Sequence, residues 1–324
     1  MSCRSFSASS ASRSARDLIT QDKRTTLREA VARHVRDGLS IAIGCALEPA
    51  IPFAFAHELI RQRKRDLTLI GPISDILFDQ LIGAGCVARV EAAWVGNVSA
   101  GLGHCYRRAL EQGVPRRIEV RDHSNFSIAQ ALLAGAIGAQ YIPTKTLLGS
   151  DIARTNPTFK ESTSPFDGSK ELLVPAITPD LAVIACQVAS IEGSADLQGP
   201  WGVSYEAALA ARSVIVLSEI VPAGAAMSVM RHTQNRAMVP ATKVVAVVNE
   251  PGACHPSPLQ SFYERDHEFF HEYHRATRTT EGFEAWIAEW VMGVPDRTSY
   301  LRKLGPRWDA LDARMKFAPT SESP

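Results

Sequence analysis

Glu119, Arg121, Asp122 and His123 bring two carboxylates, a guanidinium and an imidazole together just ahead of a helix-like run. An imidazole beside a carboxylate can pass a proton near neutral pH. The plain alternative is a capping acid and a hydrogen-bonded structural histidine. Behind the cluster, Ser124 or Asn125 can cap a helix whose apolar Ile128, Leu132 and Ile137 fall at helical spacing. A short strand and a Gly149-Ser150-Asp151 loop follow, so the run from Val120 to Ile152 reads as one side of a ligand crevice in an open α/β sheet.

Two further loops carry polar groups. Gly71-Pro72-Ile73-Ser74 follows an apolar strand, and a loop from Gly96 and Asn97 to Gly103 follows another. Ser74 and Asn97 are candidates to bind a carboxylate or thioester carbonyl, against the alternative that they only shape turns. Gly101-x-Gly103 lacks the strand, spacing and following acid of a dinucleotide fingerprint, which argues against a nicotinamide site. His267-Glu268-Phe269-Phe270-His271 fits the pattern in which two histidines on one helical face bind zinc. Its adjacent phenylalanines and the lack of an obvious third ligand argue against protease chemistry, and no metal is expected.

Strands and helices must alternate to position these groups. Helical patterns at Thr26–Arg36, Ile51–Lys64, Asp75–Gly83 and Leu102–Gln112 interleave with strands at Leu39–Ile43, Leu67–Ile70, Val87–Ala93 and Ile118–Val120. Short, nearly continuous apolar strands between amphipathic helices predict an open, mainly parallel, doubly wound α/β sheet with helices on both faces. The polar segment Gly149–Pro175 breaks the rhythm, as a linker or a surface excursion. Strands Leu181–Ala189, Val214–Val221 and Lys243–Val248 resume it, and a helical C-terminal segment spans about Ser261 to Leu311. Its Trp286, Trp290 and Trp308 read as core aromatics.

The chain of 324 residues has a formal net charge of +1 and 45% hydrophobic residues, a balance of ordinary globular type with neither the basic patch of a nucleic-acid binder nor a bilayer-spanning run. Its 6 cysteines lie without paired spacing and read as reduced thiols of a cytoplasmic protein. Residues 1–23 are Ser- and Arg-rich and read as a disordered extension, with a transit peptide as the alternative. Residues 318–324 read as a tail, leaving 24–317 as a single α/β domain.

Over residues 25–295 the chain resembles the A chain of family I coenzyme A transferases, nearest the glutaconate type and related hydrolases that cleave rings in coenzyme A esters. The likeness rests on an ordered series: His57-Glu-Leu-Ile-Arg-Gln62, Leu67-Thr-Leu-Ile-Gly71, Asp79-Gln-Leu-Ile-Gly-Ala-Gly-Cys86, Trp94-Val-Gly-Asn97, Asp122-His-Ser-Asn125, Leu148-Gly-Ser-Asp-Ile152, Asn156-Pro157, Pro179-Asp180 and Pro251-Gly-Ala-Cys-His-Pro-Ser257. The resemblance implies transfer of coenzyme A through a glutamyl thioester, with the glutamate supplied by a B subunit in a Glu-Asn-Gly-type motif. This chain has no Glu-Asn-Gly, so a B subunit is its expected partner, with acyl-CoA and a carboxylic acid as substrates and no permanently bound cofactor.

The family's glycine-rich oxyanion loop is matched here only at Gly44, in Gly44-Cys-Ala-Leu-Glu-Pro-Ala-Ile-Pro52. Where some hydrolase relatives carry a functional glutamate in a Glu-Glu-His-Ser-like run, this chain reads Arg121-Asp-His-Ser124. Asp122, Glu119 and His123 are therefore the catalytic candidates. Gly44, Ser74, Gly96, Asn97, Arg121, Ser124 and Asn125 are the binding candidates, and Arg121, Lys145 or Arg154 could pair a substrate carboxylate. A hydrolase component is the first alternative, and a non-catalytic ligand sensor of related fold the second.

Overall fold

The computed structural model describes residues 21–222 and 236–312. Seven strands form a parallel array: β1 (Ser40–Ile43), β2 (Leu67–Ile70), β3 (Val87–Ala92), β6 (Glu119–Asp122), β10 (Leu181–Ala189), β12 (Ser213–Ile220) and β14 (Val244–Asn249). Their order is β14-β12-β10-β1-β2-β3-β6, and β11 (Ala195–Gln198) and β13 (Arg236–Val239) add antiparallel strands beyond β10 to complete nine. The chain first builds outward from β1 to β6, then returns to β10 on the other side of β1. The switch point therefore falls between β1 and β10, where open sheets keep their ligands.

Apolar residues on both faces of the central strands require two covering layers. On one face Ile41, Ile43, Leu67, Leu69 and Val90 pack under the helices Leu27–His34, Phe53–Arg61, Ile76–Gly83 and His104–Glu111. The C-terminal helices His267–Ala276, Thr280–Ile287 and Arg297–Leu304 join that core through Phe269, Phe270, Tyr273, Trp286 and Tyr300. On the other face Ala42, Ile70, Ala182, Ile184, Val214 and Val216 meet the helices Asn125–Ile137 and Ser204–Ala210. The doubly wound arrangement read from the sequence is what the chain adopts.

Element ends shift by a few residues for local reasons. Thr26, Asp75 and Ser124 act as N-caps, their side chains accepting from Glu29, Ile76 and Ser127 backbone N–H groups, so their helices start one residue later. Leu102 belongs not to a helix but to the two-residue hairpin β4 (Gly96–Asn97) and β5 (Gly101–Leu102). The segment Gly149–Pro175 is a surface excursion: a helix Asp151–Thr155 precedes β8 (Lys160–Thr163) and β9 (Lys170–Pro175), and β9 pairs with both β8 and β7 (Tyr141–Thr144) in a small antiparallel sheet. The expected extension and tail lie outside the described residues, apart from residues 21–23. There Lys23 already exchanges backbone bonds with Ile191 and Val247.

The small residues of the Asn125–Ile137 helix have a packing cause. Ala131 O accepts from Ile177 N at 2.9 Å. At Gly135 a methyl group would collide with the Ile177 carbonyl oxygen, which is backbone and cannot swing away. Gly135→Ala is expected to destabilise the protein by about 1–3 kcal/mol, read as a lower urea midpoint at unchanged slope, despite alanine's better helix propensity.

Candidate active site at the strand ends

β1 and β2 stop side by side, and the loops leaving them occupy conformations that most side chains avoid. Gly44 has φ 70°, and the non-glycine residues Leu47, Ala50 and Asp75 have φ 76°, 53° and 46°. Each such residue costs about 1–3 kcal/mol and persists only where its surroundings over-determine it. The surroundings do so here. Ala50 N donates to Pro258 O at 2.9 Å, Val203 N to Cys45 O at 2.9 Å, and Ser257 Oγ to Glu48 O. A Cβ on Gly44 would run into Ser74, so the turn after β1 demands glycine twice over.

Ser74 and Gly44 meet where β1 and β2 end, and Gly96 and Asn97 form the short strand that follows β3. Ser74 is 1% exposed and its Oγ donates to Ile43 O at 3.0 Å, tying the two loops together. Asn97 is equally buried; its Nδ2 donates to Phe270 O at 2.7 Å and its Oδ1 accepts from Ser99 N at 3.0 Å. Both side chains spend their polar atoms on the protein and so set the shape of the crevice. Gly96 packs against the Trp94 ring and the Gly101 carbonyl, with no room for a side chain.

The charged groups of the crevice carry no sequence signal. Asp75 is fully buried and binds Arg265 at 2.6 Å across 190 residues of chain, while Arg265 also donates to Ser99 Oγ at 3.0 Å. Burial pushes the Asp75 carboxyl up, and the Arg265 guanidinium opposes that shift. Glu48, at the exposed tip of the loop after β1, places Oε2 4.0 Å from Arg265 Nη1.

The Glu119–His123 cluster is split by the pleat of β6. Alternate residues face opposite sides, so Glu119, Arg121 and His123 share one face and Asp122 takes the other. Asp122 lies with Trp94, Leu102 and Tyr106 around a cavity of 190 Å³. Burial, and then Asp122, lift the Tyr106 phenol to about 12. Arg121 and His123 line a separate cavity of 480 Å³ with Thr68, Arg89 and Lys160.

Glu91 belongs to that second group, although nothing in the linear sequence marks it. It sits beside Arg121 in the β3–β6 register, binds it at 3.1 Å, and lies 4.0 Å from His123 Nε2. Burial raises the Glu91 carboxyl, and Arg121 opposes the rise. Glu119 is exposed, and its carboxyl is lowered first by its bond to Arg89, with Arg121 adding to the effect. Ser124 is spent on capping, with Asn125 exposed in the first turn. Lys145, just after β7, and Arg154, on the excursion, are exposed and paired with Asp167 and Asp151. In the His-Glu-x-x-His run, Phe269 and Phe270 anchor the helix in the core while His267 is exposed and Glu268 is bound to Arg275.

The coenzyme A transferase family model matches residues 24–248. The chain is 38% identical over 280 residues to the A chain of the 3-oxoadipate CoA-transferase of Pseudomonas knackmussii, covering 86% of this chain and 97% of that protein. It superposes on the crystal structure of glutaconate coenzyme A-transferase from Acidaminococcus fermentans with a TM-score of 0.81 at 29% identity, over 90% of this chain and 95% of that one. The IpdA subunit of the cholesterol ring-cleaving hydrolase of Rhodococcus jostii is 26% identical over 294 residues, 85% of this chain and 94% of its own length.

His123 makes acid stability a test of this geometry. Burial lowers its pKa from the usual 6.5 to about 4, and Arg121 adds to the effect. Below pH 6.5 the unfolded chain therefore takes up a proton that the folded chain refuses, and stability falls as pH drops from about 6.5 to about 4. The full loss is about 3 kcal/mol at roughly 1.36 kcal/mol per pKa unit. Urea unfolding between pH 7 and 4 is expected to show this slope, and His123→Asn to remove its share.

Proposed function

Because the chain belongs to the coenzyme A transferase family, we propose that it is the A-type component of a hetero-oligomeric enzyme that moves coenzyme A between carboxylic acids. The observation that carries this reading is the end-to-end similarity to the A chain of the 3-oxoadipate transferase, at 38% identity over 97% of that protein. A B-type partner supplies the attacking glutamate. Its carboxylate displaces the thiolate of an acyl-CoA to form an acyl-glutamyl anhydride. The thiolate then attacks the glutamyl carbonyl, releasing the first acid and leaving a glutamyl thioester. The second acid repeats the two steps in reverse. Splitting one difficult transfer in this way is covalent catalysis.

This chain contributes the wall against which that chemistry runs. Backbone N–H groups of the turned loop after β1, beginning at Gly44, suit a developing oxyanion, a donor worth about 3 kcal/mol. Ser74 and Asn97 hold the loops, and Asp122 is the acid of the β6 cluster placed in a pocket of its own. The substrates are an acyl-CoA thioester and a carboxylic acid with an acidic acyl group; the chemistry calls for no resident cofactor. Residues 24–317 act as one unit, a view supported by the C-terminal aromatics sharing the core of β1 and β2. A reducing, cytoplasmic setting agrees with five free, buried cysteines, Cys45, Cys86, Cys105, Cys186 and Cys254. Among the described residues, no helix is long and apolar enough to cross a membrane.

Hydrolysis of a coenzyme A ester is the second reading, favoured by the hydrolase-like position of Asp122 and the similarity to the IpdA protein. Coexpression with a B-type chain and an assay of acyl exchange between a labelled acid and an acyl-CoA separates the two. Transfer predicts product CoA ester only when an acceptor acid is present; release of free coenzyme A without acceptor points to hydrolysis. On the hydrolytic reading, where the attacking water must lose a proton, Asp122→Ala is expected to lower kcat by about 100-fold or more, as loss of a proton-transfer group does. Unchanged turnover would remove Asp122 from the chemistry.

A further inference from the structure

The run His57–Gln62 stands out in the sequence, yet the chemistry at the strand ends makes no use of it. In the fold His57, Glu58, Arg61 and Gln62 line a cavity of 470 Å³, which they share with Glu250, just after β14, and Arg297, at the start of the helix Arg297–Leu304. That volume lies in the range of small-molecule sites, far above the roughly 10–15 Å³ that one water molecule fills. Gly44, Ser74, Asn97 and Asp122 do not line it.

Most polar groups of the wall are already satisfied. Glu58 accepts from Arg61 Nη1 at 3.1 Å and from Gln62 Nε2 at 2.8 Å, and Arg61 Nε donates to the Val291 and Val294 carbonyls. His57 meets Gln80 Oε1 at 3.2 Å; burial, with Arg297 and Arg61 adding to the effect, pushes its pKa well below the ordinary value, so the ring is neutral. Two groups are left over. Arg297 is 4% exposed, and its Nε and Nη2 donate to Gly252 O at 2.8 Å and His255 O at 2.6 Å, but Nη1 is enclosed without a partner. Glu250 is half-buried, and among the described residues its carboxylate has neither a hydrogen bond nor a direct ion pair. Burial raises that carboxyl, and the charge of Arg297 opposes the rise from beyond ion-pair contact.

The wall therefore lacks an acceptor at one point and a donor at another. Its fixed charges select what can supply both. Arg28, Arg61 and Arg297 stand against Glu58, Glu250 and Asp296, so the cavity is formally neutral. A lone anion would gain Arg297 and meet Glu250; a lone cation would do the reverse. We propose that this cavity is a binding site for a small zwitterion of the α-amino acid class, with its ammonium on Glu250 and its carboxylate on Arg297. The ammonium donates to the Glu250 carboxylate, the ligand carboxylate accepts from Arg297 Nη1, and both bonds are charge-assisted. Leu27, Ala54 and Pro295 supply the apolar part of the wall, which suits a short aliphatic side chain. No covalent bond is made or broken, and the site is independent of the coenzyme A transfer reading.

The test is calorimetry and thermal unfolding of the full chain with L-valine, isobutylamine and 3-methylbutanoate, the last two being valine without its carboxylate and without its ammonium. L-valine is expected to bind and to raise Tm, and each analogue to bind about 10-fold or more weaker, as the loss of one hydrogen bond to a charged group predicts. Glu250→Gln changes a half-buried side chain that makes no bond in the free chain. It is expected to weaken valine by a similar factor and to leave coenzyme A transfer by the two-chain enzyme unchanged. Arg297→Lys is expected to weaken valine while sparing isobutylamine; where that variant fails to fold, Glu250→Gln still decides. Absence of valine binding, equal affinity for valine and either analogue, or a valine affinity that Glu250→Gln leaves unchanged would overturn the assignment.

Discussion

The close approach of Ser74 to Gly44, which leaves no room for a side chain there, is the constraint on which the rest of the strand ends depend. Two parallel strands ending at the same level must send their loops through one small space, and the register Ala42↔Ile70 leaves no slack between them. Ser74 fills that space and bonds to the end of β1, so the preceding strand can leave only through a glycine in the left-handed region. That single turn sends the Cys45–Pro52 loop across the switch point, where Glu48 is brought out over Arg265. It also lets the Trp201–Val203 segment close against Cys45.

Strain of this kind must be offset elsewhere, and the C-terminal region provides the offset. Pro258 and Ser257 bond to the loop after β1, and Arg265 neutralises the buried Asp75 at the end of β2. Behind these contacts the aromatic group Phe269, Phe270, Tyr273, Trp286 and Tyr300 is continuous with the core beneath β1 and β2. The helices that follow the last parallel strand therefore work as a clamp on the strand ends. A buried ion pair is poor evidence for net stability, but here it fixes how the C-terminal region meets the end of β2.

Much of the architecture was legible because it is local. Alternating apolar strands and amphipathic helices, with a cap legible at Ser124, dictate a doubly wound sheet almost element by element, although Thr26 and Asp75 read as first helical residues and prove to be caps. The excursion 149–175 was readable as a break in rhythm, though not as a small sheet, since β8 is polar throughout and β9 pairs with β7, which lies before the break. The site was legible only in outline. Ser74 and Asn97 were traceable to strand ends, but whether a side chain faces ligand or backbone depends on Ile43 and Phe270, far away in sequence. Glu119, Arg121, Asp122 and His123 look like one cluster in a linear string. The pleat divides them, and only the neighbouring strand reveals Glu91. Arg265 pairs with Asp75 through tertiary packing alone, which no spacing rule can find.

The central claim is that ligand binds at the ends of β1 and β2 rather than on the sheet face near His123. Hydrogen–deuterium exchange of the two-chain complex, with and without a saturating dicarboxylic acyl-CoA, tests it most directly. Slowed exchange is predicted in Gly44–Ala50 and Gly71–Ser74, with the peptides of β8 and the Glu91 region unchanged. Protection confined to β6, β8 and the Glu91 region, with the loop after β1 unaffected, would contradict it.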